Sequence, residues 1–223
     1  MKRLADGLYL LHGLPHLAIN VYLMGGVIVD AGTRHAARRI LRQARGHPVS
    51  ALALTHAHPD HQGSCHEVCE ALGIPLWCGA ADAEAVEDPG LMIRRLPRNW
   101  LTRMIGPRLA GPPHPVARRL REGDEVGGFT VLETPGHCAG HVSFWREADR
   151  VLVLGDILAN FSPPIGLLGL CEPPLLFSPD PAENRRSARR VAALEPALVC
   201  FGHGPPLDDT PRFVEFVGRL AFD

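Results

Sequence analysis

The chain has 223 residues, of which 46% are hydrophobic, and its formal net charge is −1. This length and apolar content suffice for one sizeable core and exclude a disordered chain. A net charge near zero offers no overall attraction to nucleic acid or to an anionic membrane, so neither is expected as a partner. No apolar run reads as a signal peptide or membrane span, and the six scattered cysteines are typical of reduced thiols, so a cytoplasmic protein is expected.

The first third of the chain is predicted to form strands and helices bounded by glycines. Strands are expected at residues 8–11, 19–24, 27–30, 49–54 and 74–78. Apolar side chains recur at helical spacing over residues 33–45, with Thr33 as the expected N-cap and Gly46 as the stop. A second helix is predicted from Ser64 to about Leu72.

Residues 79–121 differ from the rest because prolines punctuate them and arginines accumulate. Eight arginines and no acid occur from position 94 to 121, namely Arg94, Arg95, Arg98, Arg103, Arg108, Arg118, Arg119 and Arg121. We interpret this segment as a helical insertion whose basic face is solvated. The alternatives are a lid over an anionic substrate and a dimer contact.

The strand pattern returns in the second half, and the complete pattern predicts the fold class. Strands are expected at 128–133, 142–145, 151–154 and 197–201, and helices at about 181–194 and 211–220. Two β-rich halves, each closed by helices, indicate an α+β protein with a four-layer αββα sandwich. No linker separates them, so residues 1–223 are predicted to form a single domain.

Three histidines and one aspartate lie within six positions after the strand at 49–54: His56, His58, Asp60 and His61. Imidazole and carboxylate are the preferred ligands of zinc and similar ions. The alternating spacing lets His56 and His58 project to one side while Asp60 and His61 turn towards a neighbouring point. The stretch is therefore suited to two adjacent metals, and the alternative is a polar loop rich in histidine.

Three further candidate ligands follow the ends of predicted strands: His137, Asp156 and His203. Loops at one end of a rigid pair of sheets can bring together groups that are distant in sequence. Four strand ends that all carry imidazole or carboxylate therefore predict one shared metal site.

These residues, in the pattern His56-x-His58-x-Asp60-His61 followed by His137, Asp156 and His203, resemble the signature of the metallo-β-lactamase superfamily. The resemblance implies the αββα sandwich of that family. It also implies one metal held by His56, His58 and His137, a second held by Asp60, His61 and His203, and Asp156 bridging both. Two divalent ions are thus expected, with zinc favoured and iron or manganese as alternatives.

The same resemblance implies roles for residues beside the ligands. Asp30, in the family's first motif, would brace the ligand loops without binding metal. His141 is expected to be a hydrogen-bonded support. His66 should be turned away by its helix, and His114 is assigned no role.

The charge balance of two divalent ions and two carboxylates predicts that a bridging water is held as hydroxide near neutral pH. This hydroxide would attack the substrate, and no serine or cysteine nucleophile is needed. Asp60 or a metal-bound water would return a proton to the leaving group.

The branch of the family is indicated by Asp156, a position where true β-lactamases usually lack a carboxylate. With His61 and His203 it resembles the glyoxalase II-like and lactonase-like hydrolases, although the few residues after His203 predict no glutathione-binding helical domain. We therefore predict hydrolysis of an ester-like bond (thioester, lactone or other carboxylic ester) in a small-molecule substrate. The alternatives are a mono-iron persulfide dioxygenase-like oxidoreductase and an RNase Z-like phosphodiesterase. The apolar stretch 157–177 would line the pocket or form a homodimer surface.

Overall fold

The computed structural model describes residues 1–13, 15–95, 110–162 and 167–221. Seven strands form a first sheet in the order of the chain. They are β1 (Lys2–Ala5), β2 (Leu8–Leu11), β3 (Val21–Met24), β4 (Val27–Val29), β5 (Ala51–Leu54), β6 (Leu76–Gly79) and β7 (Val116–Leu120). Strands β1 to β4 pair antiparallel and β4 to β7 pair parallel.

A second sheet of five strands has the order β14-β11-β10-β9-β8, with β11 and β14 parallel and the other pairs antiparallel. Its members are β8 (Glu125–Val126), β9 (Phe129–Glu133), β10 (Val142–Arg146), β11 (Val151–Gly155) and β14 (Leu198–Phe201). A separate hairpin joins β12 (Ala159–Ser162) to β13 (Leu167–Cys171). This topology directs β9, β11 and β14 towards the same end of the sheet.

The described helices lie outside the sheets. They are α1 (Ala37–Ala44), α2 (Pro59–Gln62), α3 (Cys65–Leu72), α4 (Ala83–Glu87), α5 (Pro89–Arg95), α6 (Pro181–Ala192) and α7 (Thr210–Gly218), with a 3-10 turn at Leu175–Phe177. None of the helices within the described ranges is both long and apolar enough to span a bilayer.

Three apolar cores separate four layers, which confirms the αββα sandwich. The central core lies between the sheets and joins Tyr22 of β3 to Phe129 and Phe144 of the second sheet. A second core packs α1, α3 and α4 on the outer face of the first sheet, and a third packs α6 and α7 on the second. Burial of these faces is the main stabilising contribution to the fold.

Most predicted elements are present within two residues of their expected ends, but α1 begins four residues after Thr33. The Ser64 hydroxyl accepts hydrogen bonds from the amides of Ala36 and Ala37, both at 3.0 Å, and donates to the carbonyl of Thr33. A side chain from the start of α3 therefore replaces the predicted cap.

The prediction for α3 itself is confirmed, since it ends at Gly73 with the left-handed φ of 63°.

The arginine-rich segment contains a strand that the sequence analysis missed. Residues 116–120 pair with β6 as the edge of the first sheet. Arg118 on this strand lies over the ring of Trp77 and pairs with Asp124 at 3.0 Å. Arg98, Arg103 and Arg108 lie outside the described residues, so the lid and the dimer contact stay predictions, as does the extent of the insertion.

The apolar stretch 157–177 divides into two parts. Ile157 and Leu158 are buried in the third core, whereas Leu167 and Leu168 on β13 are 63% and 72% exposed. A homodimer contact through these exposed leucines stays a prediction.

Candidate metal centre

Four loops deliver the seven predicted ligands to one end of the sandwich. His56 and His58 lie between β5 and α2, and Asp60 and His61 lie within α2. The other three follow β9, β11 and β14, which are His137, Asp156 and His203 respectively. The two sheets thus each contribute to one cluster.

His56, His58 and His137 form a first group of buried imidazoles. Their ring centroids are 4.6 Å (His56–His58), 4.9 Å (His56–His137) and 4.5 Å (His58–His137) apart. Burial lowers the pKa of all three rings, that of His58 to about 4. These rings are therefore neutral at physiological pH, which is the form that binds metal.

Two hydroxyl groups fix the orientation of rings in this group. Thr55 Oγ1 lies 3.0 Å from His56 Nδ1, and Ser178 Oγ lies 3.0 Å from His137 Nδ1. The Nε2 atoms of His56 and His137 point into the cluster and are buried without a hydrogen-bond partner among the described residues. Unpaired buried nitrogens are costly, and a cation held between them would satisfy both.

Asp60, His61 and His203 form a second group. His203 Nε2 lies 3.4 Å from Asp60 Oδ2 and 3.4 Å from His61 Nε2. Burial disfavours protonation of His203, yet Asp156 and Asp60 raise its pKa to about 9. Burial likewise opposes protonation of His61, but Asp156 and Asp30 raise its pKa well above its usual value. The aspartates of this region therefore stabilise positive charge here. A divalent cation would supply that charge in place of the protons on the histidines.

Asp156 lies between the two groups. Its Oδ2 is 4.0 Å from His56 Nε2 and 3.7 Å from His137 Nε2 in the first group. The same oxygen is 3.3 Å from His61 Nε2 and 3.1 Å from His203 Nε2 in the second. Burial would raise the pKa of this carboxyl, but His203 and His61 hold it well below its usual value. The carboxylate is therefore ionised in the position expected of a bridging ligand.

The donor set fits two first-row divalent cations. The sets His56–His137–Asp156 and Asp60–His61–His203 each hold their ligand atoms within 4.8 Å of one another. Imidazole and carboxylate suit zinc, iron and manganese alike, so the donors do not select one of them. Asp156 Oδ1, also buried without a described partner, leaves the carboxylate free to bind a cation through either oxygen.

The metal-free protein holds a proton on His203 that a metal must displace, since the pKa of about 9 is above the usual 6.5. We expect metal loading at pH 7.5 to release this proton, and metal affinity to rise with pH up to at least about pH 9, since the pKa of His61 in the same group is raised as well. Titration calorimetry with Zn²⁺ in buffers of different ionisation enthalpy measures the release. An affinity that is constant between pH 6.5 and 9 would contradict the expectation.

Two neighbouring residues support the ligands as the sequence analysis expected. Asp30 accepts from the Thr55 amide at 2.8 Å and lies 2.9 Å from His61 Nδ1, the nitrogen that faces away from His203. His141 uses both ring nitrogens, since Nε2 accepts from the Asp156 amide at 3.0 Å and Nδ1 lies 2.9 Å from Thr134 Oγ1. Each orients a predicted ligand without pointing into the cluster.

Asp82 is a buried support that the sequence analysis missed. Its carboxylate accepts from the Ala57 amide at 3.0 Å and from the Gly140 amide at 2.9 Å. It therefore ties the loop of His56 and His58 to the loop of His137. The only sequence signal was an acid soon after a predicted strand, which does not reveal partners 25 and 58 residues away.

Replacing Asp82 by alanine is expected to destabilise the protein by about 2–6 kcal/mol, since two buried amides lose their acceptor at about 1–3 kcal/mol each. Urea unfolding of the metal-free protein measures this loss. Asp208→Ala, at an exposed aspartate, should remain near wild type. Equal unfolding free energies for the two variants would show that the carboxylate does not hold the loops together.

A cavity of about 470 Å³ opens beside the first group. Small side chains from residues 57, 81, 85 and 139 line it, together with His58, Asp82, Arg95, Cys138 and Pro179. Cys138 Sγ lies 3.2 Å from His58 Nε2, and burial raises the pKa of this thiol well above its usual value. The thiol, which the sequence analysis did not single out, could join His56 and His58 around a cation.

Comparison with known proteins agrees with this geometry. The model of the metallo-beta-lactamase superfamily matches residues 14–203. The chain is 28% identical to the probable metallo-hydrolase YflN of Bacillus subtilis over 222 residues, covering 88% of this chain and 84% of that protein. It is 31% identical to a hydroxyacylglutathione hydrolase of Fuscovulum blasticum over 175 residues, 76% of this chain and 54% of that one.

Among solved structures, the crystal structure of TTHA1623 in a di-iron-bound form is similar, with a TM-score of 0.65 and 31% identity. The match covers 91% of this chain and 93% of that one.

Proposed function

We propose that this chain, which belongs to the metallo-β-lactamase superfamily and is a metal-dependent hydrolase, uses two metal ions. The reaction that we propose is hydrolysis of an ester-like bond. The bond is a thioester, a lactone or another carboxylic ester. The position of Asp156 carries the proposal. One oxygen of this carboxylate faces four imidazole nitrogens at 3.1–4.0 Å, two from each group. A carboxylate within reach of both donor sets supports two neighbouring ions that share it.

We propose His56, His58, Asp60, His61, His137, Asp156 and His203 as the metal ligands, with His56, His58 and His137 around one ion and Asp60, His61 and His203 around the other. Zinc is our first choice of metal, with iron or manganese as alternatives. The relative solved in a di-iron form supports keeping iron among them. Two bound divalent ions would lower the pKa of a water molecule and polarise the carbonyl group of the substrate.

Side chains of the protein would then return a proton to the leaving group and keep the metal ligands in their orientation. Asp60 is 29% exposed, and its Oδ2 lies 3.4 Å from His203 Nε2 and 4.0 Å from His61 Nε2. It is thus the more accessible of the two carboxylates in the cluster, and a substrate that enters from solvent would bring its leaving group towards it. We assign it the return of a proton to that group. Asp30 and His141 keep His61 and Asp156 in place during turnover.

The cavity beside His58 supports a small-molecule substrate. Its alanine side chains suit an apolar acyl portion, and Arg95, which also lines it and pairs with Glu84 at 3.6 Å, would exchange this partner for an anionic substituent. The Arg95 guanidinium donates to the Ala81 carbonyl at 2.8 Å, which holds it towards this cavity. The similarity to a hydroxyacylglutathione hydrolase favours thioesters as the first substrates to test.

Metal analysis combined with a substrate panel tests the proposal. Purified protein should contain about two metal ions per chain and hydrolyse at least one thioester, lactone or carboxylic ester. His61→Ala should lose one of the two ions and nearly all turnover. One iron per chain with oxygen uptake would instead identify a persulfide dioxygenase-like enzyme. Turnover of phosphodiesters alone would identify a phosphodiesterase.

A further inference from the structure

A separate cluster of potential metal ligands lies outside the metal centre. His66 and Glu70 are on α3, and His114 is in the loop of residues 110–115 that leads into β7. His66 Nδ1 lies 3.2 Å from His114 Nδ1, and His114 Nδ1 lies 4.0 Å from Glu70 Oε1. All three ligand atoms lie within 4.8 Å of one another.

The geometry of this cluster fits a transition-metal ion. His66 and Glu70 are four residues apart on one helix and therefore share a face. Two nitrogens bound tetrahedrally at about 2.0–2.1 Å from zinc would be about 3.3 Å apart, close to the observed 3.2 Å. Glu70 has 66% of its side chain exposed, so its carboxylate is free to move the remaining distance.

The electrostatics also favour binding. The His114 side chain is only 10% exposed, and burial, with a contribution from nearby His66, lowers its pKa. The ring is therefore neutral at physiological pH and needs no deprotonation before binding an ion. The alternative without an ion is a direct N–H···N hydrogen bond between the two rings, and Glu70 would not take part in that bond.

The 110–115 loop contacts the backbone next to the metal centre. A Cβ atom placed on Gly111 would lie 1.9 Å from the Gly63 carbonyl oxygen, so the two backbones are in direct contact. Gly63 immediately follows α2, the helix that carries Asp60 and His61. A constraint on this loop would therefore also restrict the backbone behind two of the predicted ligands.

We propose that His66, Glu70 and His114 form a binding site for one first-row divalent ion, separate from the metal centre, that fastens the 110–115 loop to α3. The imidazole and carboxylate donors select zinc and its neighbours over calcium and magnesium. Three protein ligands leave at least one position for water, so this ion binds more weakly than those of a closed structural site. The site does not depend on the substrate of the metal centre.

Equilibrium dialysis against micromolar Zn²⁺, with the metal centre already loaded, tests the site. Wild type should bind one more zinc per chain than His66→Ala or Glu70→Gln. His66 is half-exposed on a helix where alanine is favourable, so this variant should fold. His47→Ala, at a half-exposed histidine beside Tyr9, is the matched control and should keep the extra zinc. Equal zinc content in wild type and His66→Ala would overturn the site.

Hydrogen exchange tests the fastening of the loop. Zn²⁺ should slow exchange of the Ala110, Gly111 and His114 amides, the exchangeable ones of this proline-rich loop, at least about tenfold in wild type and leave it unchanged in His66→Ala. If wild type binds the additional zinc while exchange in this loop does not slow, the ion does not fasten it and that part of the proposal is wrong.

Discussion

Asp156→Asn is expected to lower kcat/KM by at least about a thousandfold, equivalent to about 4 kcal/mol of transition-state stabilisation. The amide keeps the shape of the side chain but removes the negative charge that faces four imidazole nitrogens. Both groups would then lose their shared anionic ligand, so metal content should also fall. Turnover of the best ester substrate and elemental analysis of the same sample measure the two effects.

Asp149→Asn is the matched control for this substitution. Asp149 pairs with Arg146 at 2.7 Å in the turn between β10 and β11, at the opposite end of the strand that leads to Asp156. Its loss should leave turnover near wild type because partly exposed ion pairs contribute little. An Asp156→Asn protein with full metal content and full activity would rule out the bridging carboxylate.

Gly202→Ala is expected to reduce turnover by at least about a hundredfold, which corresponds to about 3 kcal/mol, although the new methyl group is far smaller than any ligand. A Cβ atom at this position would lie 1.9 Å from Asp156 Oδ1 and 2.7 Å from His61 Cε1. The contact is with two predicted ligands at once, so they must move apart or the turn at 201–204 must shift. Overpacking of this kind also costs about 1–3 kcal/mol of stability.

Gly218→Ala provides the control, since a Cβ atom there at the end of α7 would meet nothing within 4 Å. Kinetics and thermal unfolding of both variants separate the local effect on the ligands from a general loss of stability. If Gly202→Ala retains wild-type kcat/KM, the position of Asp156 tolerates displacement and the short contact does not limit activity.

The sequence predicts the layers of the fold and the convergence of the site because both depend on local patterns. Apolar runs indicate the strands, and a polar residue after each strand end lies where neighbouring strands finish together. The supports of the site depend instead on contacts between distant segments. Ser178 reaches His137 across 41 residues, and the Ser64 hydroxyl bonds the first amides of α1 across 28.

The strand at 116–120 escaped prediction for a different reason. Its sequence, Val-Ala-Arg-Arg-Leu, places two adjacent arginines between apolar residues, so it lacks the alternation typical of an edge strand and has the composition of a solvated helix. Only pairing with β6 distinguishes the two structures. The contact of the Cys138 thiol was not predicted because the sequence does not show that His58 is its neighbour.

Neither sheet carries a complete donor set. The first group needs His137 from the second sheet beside His56 and His58 from the first, and the second group needs His203 beside Asp60 and His61. Catalytic competence is consequently a property of the interface between the sheets. A partly unfolded chain that keeps its strands but loses the packing between the sheets would be inactive while still rich in β-structure. Enzymatic activity therefore reports on the packing between the two sheets.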